Sequence, residues 1–197
     1  VWVPESVRGK VGGKLGKVVE KSGYGVGAGV PGTPYILFAL ADNGHADTAY
    51  KMLLNTQCPS WLYEVRVGAT TVWERWDGLD ENGECPIGDD GTDMMISYNH
   101  YASGAVGAFL YRRVLGVEPT EAGYRKFKFA PVVGGGITEA EGTVVTPYDV
   151  IKAAWKIADG EMTMTVAVPV GTECTVVPPS GEEKAPGSGE YTGTAKE

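Results

Sequence analysis

The chain has only three cysteines in 197 residues, Cys58, Cys85 and Cys174, and none falls in a C-x-x-C pair. An odd count without that spacing argues against a disulfide framework. It favours a reducing compartment, and so a cytoplasmic location. Basic runs are absent too: 17 lysines and arginines stand against 25 acids, for a formal net charge of −8. That argues against a nucleic-acid binder and against a protein drawn to an anionic membrane surface. No apolar run approaches membrane-spanning length, and the N-terminal Val-Trp-Val-Pro-Glu has no apolar signal-peptide core. There is no internal repeat. What remains is a mildly acidic chain, long enough for one large domain or two small ones.

The pattern changes near Gly123. Before it, apolar residues recur at helical spacing. Val7, Val11, Leu15, Val18 and Val19 share one face, although Gly9, Gly12, Gly13 and Gly16 interrupt it at a cost of roughly 1 kcal/mol each against Ala. Pro34 suits a first helical turn with Thr33 as its cap, and Ile36, Leu37, Leu40 and Ala41 line one side of the helix that follows. Asn43-Gly44 breaks it. Residues 46–56 then read as a second helix with Ala49, Met52 and Leu53 facing inward, which makes a helical hairpin. Residues 57–93 lose all periodicity and read as a long, functional loop. Helical spacing returns over 99–115 and stops at Gly116. After Gly123, short strands are expected at 126–130, 137–146, 150–157, 162–168 and 174–177, with a last one near Tyr191. Turns at Gly134–Gly136, Asp159-Gly160, Pro178-Pro179 and Gly187–Gly189 punctuate them. This reads as an antiparallel sandwich of about 70 residues.

The long loop carries the run Gly68-Ala-Thr-Thr-Val-Trp-Glu-Arg-Trp-Asp-Gly78. Glu74 stands between Trp73 and Trp76. Tryptophan is costly to leave in water, so two of them around an acid suggest a concave site. Indoles pack on the apolar face of a sugar ring, while a carboxylate accepts hydroxyl hydrogens or activates water. The residues alone leave open a plain core Trp pair with an acid between. In an extended run Glu74 and Trp76 share a side and Trp73 faces the other way, so Trp76 is expected to be the exposed indole.

Other segments join that run in order: Gly29-Val-Pro-Gly-Thr-Pro-Tyr35, Leu40-Ala-Asp-Asn-Gly-His-Ala-Asp-Thr-Ala-Tyr50, Pro59-Ser-Trp-Leu-Tyr63 and Ser97-Tyr-Asn-His-Tyr101. Together they resemble the C-terminal part of bacterial α-L-rhamnosidases of glycoside hydrolase family 78, over about residues 23–193. The resemblance implies an α+β piece of a larger protein: part of an (α/α)6 six-hairpin barrel in residues 1–122, then a C-terminal β-sandwich in 123–197. It implies inverting hydrolysis of terminal α-L-rhamnosyl residues, with Glu74 as the general base. Trp73 and Trp76 would wall the pocket. His100 would bind sugar hydroxyls, with Asn99 beside it as a lesser candidate that also suits a helix cap. The partner is a rhamnose-containing glycoside, and the rest of the barrel would lie upstream. The family's acidic segment with the general acid has no match here, so the chain alone is expected to be inactive. Two rivals remain: a sugar-binding or interaction module without chemistry, and another glycosidase or lyase on the same barrel.

No cofactor or metal is expected. Asp42, His45 and Asp47 fall at a helix-to-helix turn without zinc spacing and read as helix-end residues. Asp80-Glu-Asn-Gly-Glu84 and Asp89-Asp-Gly-Thr-Asp93 do not have the Gly and distal Glu of an EF-hand calcium loop at the right places and read as solvated insertions. Gly134-Gly-Gly136 leads into a strand with no Lys-Ser/Thr, so it is not a phosphate loop.

Overall fold

The structure, a computed structural model, describes residues 3–88, 91–92 and 95–196. The chain forms two compact units, Val1–Val106 and Gly107–Glu197.

The first unit holds helices α1 (Glu5–Lys21), α2 (Thr33–Ala41), α3 (Ala46–Leu53), α4 (Trp61–Arg66) and α5 (Tyr101–Gly104). The glycines of α1 do not break it, because two of them make room. A Cβ on Gly12 would lie 2.8 Å from the Asn43 Cβ, and one on Gly16 would lie 3.3 Å from the His45 ring. The α2–α3 turn therefore sits directly on the α1 backbone. Helices α2 and α3 form the expected hairpin and bury Ile36, Leu37, Leu40, Ala49, Met52 and Leu53. Fully buried Leu40 and Met52 each stabilise the fold by about 1.5–3 kcal/mol.

Some boundaries differ from the sequence reading. Thr33 is the first helical residue and not the cap. Its hydroxyl donates back to the Ala28 and Gly29 carbonyls at 3.1 and 3.2 Å, and Gly32 holds the cap position. Helix α3 ends at Leu53 rather than residue 56, and the Asn55 side chain turns the chain by accepting the Gln57 N–H at 3.0 Å. The long loop contains α4, which was not foreseen. Ser60 caps it by accepting the Tyr63 N–H at 3.1 Å. Asp42 is the C-cap of α2, His45 the N-cap of α3, and Asp47 lies in the first turn of α3, where an acid favours the helix dipole.

Helix α6 (Val106–Phe109) spans the division between the units, and a π-helical turn (Leu110–Val114) follows. The second unit contains two sheets. One has the order β1-β2-β6, from β1 (Val117–Pro119), β2 (Lys126–Phe129) and β6 (Glu173–Val176). The other has the order β3-β4-β5-β7, from β3 (Glu139–Val145), β4 (Val150–Ala158), β5 (Glu161–Val168) and β7 (Gly189–Lys196). All pairs are antiparallel except β2 with β6, which is parallel. Strand β1 was not foreseen, and it pairs with β2 before the expected boundary at residue 123.

The period-two pattern sets the register here. Ile151, Ala153 and Trp155 point inward from β4, opposite Val144, Val166 and Met164. They meet Phe127, Phe129, Cys174 and Val176 of the smaller sheet in one core. The Trp155 indole N–H donates to the Val114 carbonyl at 2.8 Å, which satisfies the one polar atom of this side chain. Expected strands and observed strands otherwise agree within two or three residues.

Candidate active site

Every residue expected at the site lies in the first unit. Two segments, 71–74 and 97–100, are joined there by backbone hydrogen bonds. The Glu74 N–H donates to the Ser97 carbonyl at 2.9 Å, and the His100 N–H donates to the Val72 carbonyl at 2.8 Å. The Thr71 hydroxyl also donates to the Tyr98 carbonyl. These bonds place Glu74 and His100 on neighbouring segments although they are far apart in sequence.

The Glu74 carboxylate is exposed. Its Oε2 accepts the Ser97 N–H at 3.2 Å, so the side chain is steered by the partner segment while Oε1 has no such bond among the described residues. An exposed, steered carboxylate can accept a hydroxyl hydrogen or take a proton from water. His100 is the N-cap of α5, and its Nδ1 accepts the Ala102 N–H at 3.3 Å. An accepting Nδ1 leaves the proton on Nε2, which can donate to a ligand oxygen. The imidazole also stacks on the Tyr101 ring, 5.3 Å away at 12°. Asn99 is exposed and does not cap the helix; the expected cap moves to His100, because its ring nitrogen reaches the Ala102 N–H.

The two tryptophans divide as the extended reading implies. Trp73 is 3% exposed, with its indole edge-on to Tyr98 at 5.3 Å. It has almost no surface left for a ligand, so its work in this unit is packing. A Cβ on Gly78 would come within 2.7 Å of Trp73 Cε3, so a glycine is what lets the loop fold over the indole. Trp76 is half-buried and meets the Trp61 ring edge-on at 5.2 Å. Trp61 is itself fixed by an indole N–H bond to the Ser103 carbonyl at 2.9 Å, which ties α4 to α5.

The loop between these groups is tied down by polar contacts. Arg75 donates from Nε and Nη2 to the two Asp77 oxygens at 3.0 and 2.9 Å, and this fork holds the Asp77 carboxyl below its ordinary range. The Tyr98 and Tyr63 hydroxyls donate to the Gly78 and Leu79 carbonyls at 3.0 and 3.1 Å. Asp80 accepts the Asn82 and Glu84 N–H groups at 2.8 and 2.9 Å, so its oxygens serve its own turn. The second acidic loop, Asp89–Asp93, lies largely outside the described residues.

Glu64, on α4, was missed by the sequence reading. It is 2% exposed, its Oε2 accepts the Trp73 N–H at 3.1 Å, and its Oε1 has no partner among the described residues. Burial pushes its carboxyl up to about 7 despite that bond. The available signal was the Ser60 cap and the Trp61/Glu64 spacing, which puts an acid on the same helix face as a buried indole.

Concavities are found elsewhere in the chain. One of about 480 Å³ crosses the four-stranded sheet at Glu141, Lys152, Ala154 and Thr165. Another of about 510 Å³ lies between α1 and α2, against Val11, Leu15, Tyr35 and Phe38. Among the described residues no helix is long and apolar enough to cross a membrane.

Comparison with known proteins gives a consistent result. Residues 2–114 match the family described as the bacterial alpha-L-rhamnosidase 6 hairpin glycosidase domain, and residues 116–192 match the bacterial alpha-L-rhamnosidase C-terminal domain. An alpha-L-rhamnosidase of Streptomyces avermitilis is 36% identical over 174 residues, covering 88% of this chain and 16% of its own length. One of Formosa agariphila is 34% identical over 172 residues, covering 87% of this chain and 18% of its own. The crystal structure of native α-L-rhamnosidase from Aspergillus terreus aligns with a TM-score of 0.87 at 32% identity, over 97% of this chain and 22% of that one. The Streptomyces avermitilis α-L-rhamnosidase complexed with L-rhamnose aligns with a TM-score of 0.86 at 31% identity, over 98% of this chain and 20% of that one. The chain thus spans roughly a fifth of the proteins it matches.

Proposed function

The chain belongs to the bacterial α-L-rhamnosidase family, and from that premise we propose that it is the C-terminal part of a glycoside hydrolase acting on terminal α-L-rhamnosyl residues. Residues 1–122 contribute the end of the six-hairpin domain, and 123–197 the C-terminal β-domain. The reaction is hydrolysis with inversion. Glu74 is the general base, and the pairing of segments 71–74 and 97–100 by backbone bonds is the observation that carries this reading. It puts an exposed carboxylate and a histidine whose Nε2 can donate on two bonded segments.

An inverting site needs two carboxyls roughly 6.5–9.5 Å apart, so that a water fits on the face of the sugar opposite the leaving group. Glu74 takes the proton from that water as the oxygen attacks the anomeric carbon. A general acid on the preceding hairpins protonates the departing oxygen. Trp76 offers an indole face to the sugar, and His100 and Asn99 donate to its hydroxyls. Trp73 serves as a support for Glu74 from beneath. The L-rhamnose bound to the Streptomyces avermitilis relative supports a rhamnoside as the substrate class. The odd cysteine count supports a reducing, cytoplasmic setting.

The test uses an aryl α-L-rhamnoside. In the full-length parent, Glu74→Gln should cut turnover by roughly 10²–10⁴-fold, the usual worth of a general base. The 197-residue chain alone should release no aryl group, since it supplies a base without the acid. Near-normal turnover in the variant removes Glu74 from the role. Release by the isolated chain that depends on Glu74 means that an acid lies within it, with Asp77, Asp42 and Asp47 the first to examine. Sugar binding without any hydrolysis by the parent favours a binding module.

A further inference from the structure

Glu64 is the acid of the helical unit that the hydrolytic reading leaves unused. In the 71–74 segment, Val72 and Glu74 turn their backbone polar groups toward segment 97–100. The Trp73 N–H between them makes no backbone bond to that segment among the described residues, and a buried N–H needs an acceptor. It is the Glu64 carboxyl that receives it, at 3.1 Å, from a position 2% exposed. An aliphatic side chain would fill the same space without burying an unpaired oxygen such as Glu64 Oε1. What Glu64 supplies that an aliphatic cannot is the acceptor.

We infer that Glu64 is a positioning residue for Glu74: its carboxyl accepts the Trp73 N–H and fixes the peptide directly before the base. Glu74 is then held from both sides, by Ser97 through its own N–H and carboxylate and by Glu64 through Trp73. The inference rests on Glu74 being the general base. Its reach is plausible in scale, because a misplacement of about 1 Å of a reacting group can cost about 10²-fold in rate.

Two substitutions and one spectroscopic readout test it. In the full-length parent, Glu64→Leu removes the acceptor and should lower kcat by about 10–100-fold with KM within about 3-fold. Glu64→Gln keeps a carbonyl oxygen at the same place and should restore kcat to within about 3-fold of the parent. In the isolated chain labelled with ¹⁵N-tryptophan, the Trp73 amide should be protected from exchange in the parent and in Glu64→Gln, and should exchange freely in Glu64→Leu. Full turnover in Glu64→Leu overturns the inference, and so does a Trp73 amide in the parent that exchanges as fast as an open one. If Glu64→Leu does not fold, the parent's Trp73 protection and the Glu64→Gln turnover decide the matter. Loss of turnover in Glu74→Gln beside full turnover in Glu64→Leu overturns the role of Glu64 alone. Retained turnover in Glu74→Gln overturns the base and this inference with it, even where the Trp73 bond is found.

Discussion

Replacing Glu64 by glutamine should flatten the dependence of stability on pH. The Glu64 carboxyl is raised from 4.5 to about 7, by burial first, against the opposing effect of the Trp73 N–H. A raised carboxyl favours the protonated form in the folded state. Its contribution is therefore fully present below 4.5, is lost as pH rises toward about 7, and stays lost above that. The whole swing corresponds to about 3 kcal/mol. The group is 2% exposed, so solvent screening does little to reduce it. Glutamine keeps the acceptor for Trp73 and cannot ionise. At pH 5 the parent and Glu64→Gln should differ by less than about 1 kcal/mol, and at pH 8 the variant should be more stable by about 1–3 kcal/mol. Cys58 does not confuse the comparison, because its thiol is pushed up by burial, then by Asp77 and Glu64, and stays neutral in this range. The assay is urea unfolding followed by tryptophan emission at both pH values; Trp61, Trp73 and Trp76 all lie in the helical unit. Equal differences at the two pH values, or a variant less stable at pH 8, would refute the reasoning.

Two further substitutions probe the packing. Gly78→Ala would put a methyl 2.7 Å from Trp73 Cε3, so it should destabilise the helical unit by about 1–3 kcal/mol, seen as a lower urea midpoint; an unchanged midpoint means that the loop is not seated on the indole. Trp155→Phe leaves the Val114 carbonyl without its indole donor and opens space in the sandwich core. It should cost about 1–3 kcal/mol by thermal unfolding, and a cost near zero would remove that bond from the account.

The fold was legible wherever period and burial agreed. Strands β4 and β5 alternate strictly, and every inward residue belongs to the core. Helix α1 was harder, because its glycines argue against a helix locally. Their reason is the close approach of Asn43 and His45, a tertiary contact that no spacing reveals. Helix α4 and strand β1 were invisible for another reason: six and three residues are too short for a period to emerge. At the candidate site, the alternation of buried Trp73 and exposed Glu74 followed from an extended run. That His100 rather than Asn99 caps α5 did not follow, since either can accept an amide N–H. Glu64 escaped because a single acid in a stretch without visible period reads as solvated; only the fold brings the Trp73 N–H to it.

The two units also differ in how fully each buries its own apolar surface. In the second unit the two sheets cover one another, and Val145 and Val170, both more than 80% exposed, lie at a strand end and in a turn. The helical unit exposes Val18, Tyr35, Val65 and Tyr101 at 58–84%, all four on helices that bury other residues in the same unit. A helix apolar on more than one side lies inside a larger helical assembly. The concavity against Val11, Leu15, Tyr35 and Phe38 has the same character, apolar and open. This asymmetry matches the proposal that preceding hairpins complete the first unit while the sandwich needs none. It also locates the chemical incompleteness. Within the chain, Glu74, the proposed base, is anchored through Ser97 and through Glu64 by way of Trp73. On the proposed reading, hairpins that cover those exposed faces would bring the acid, and the same covering would exclude the bulk water that an exposed Glu74 meets.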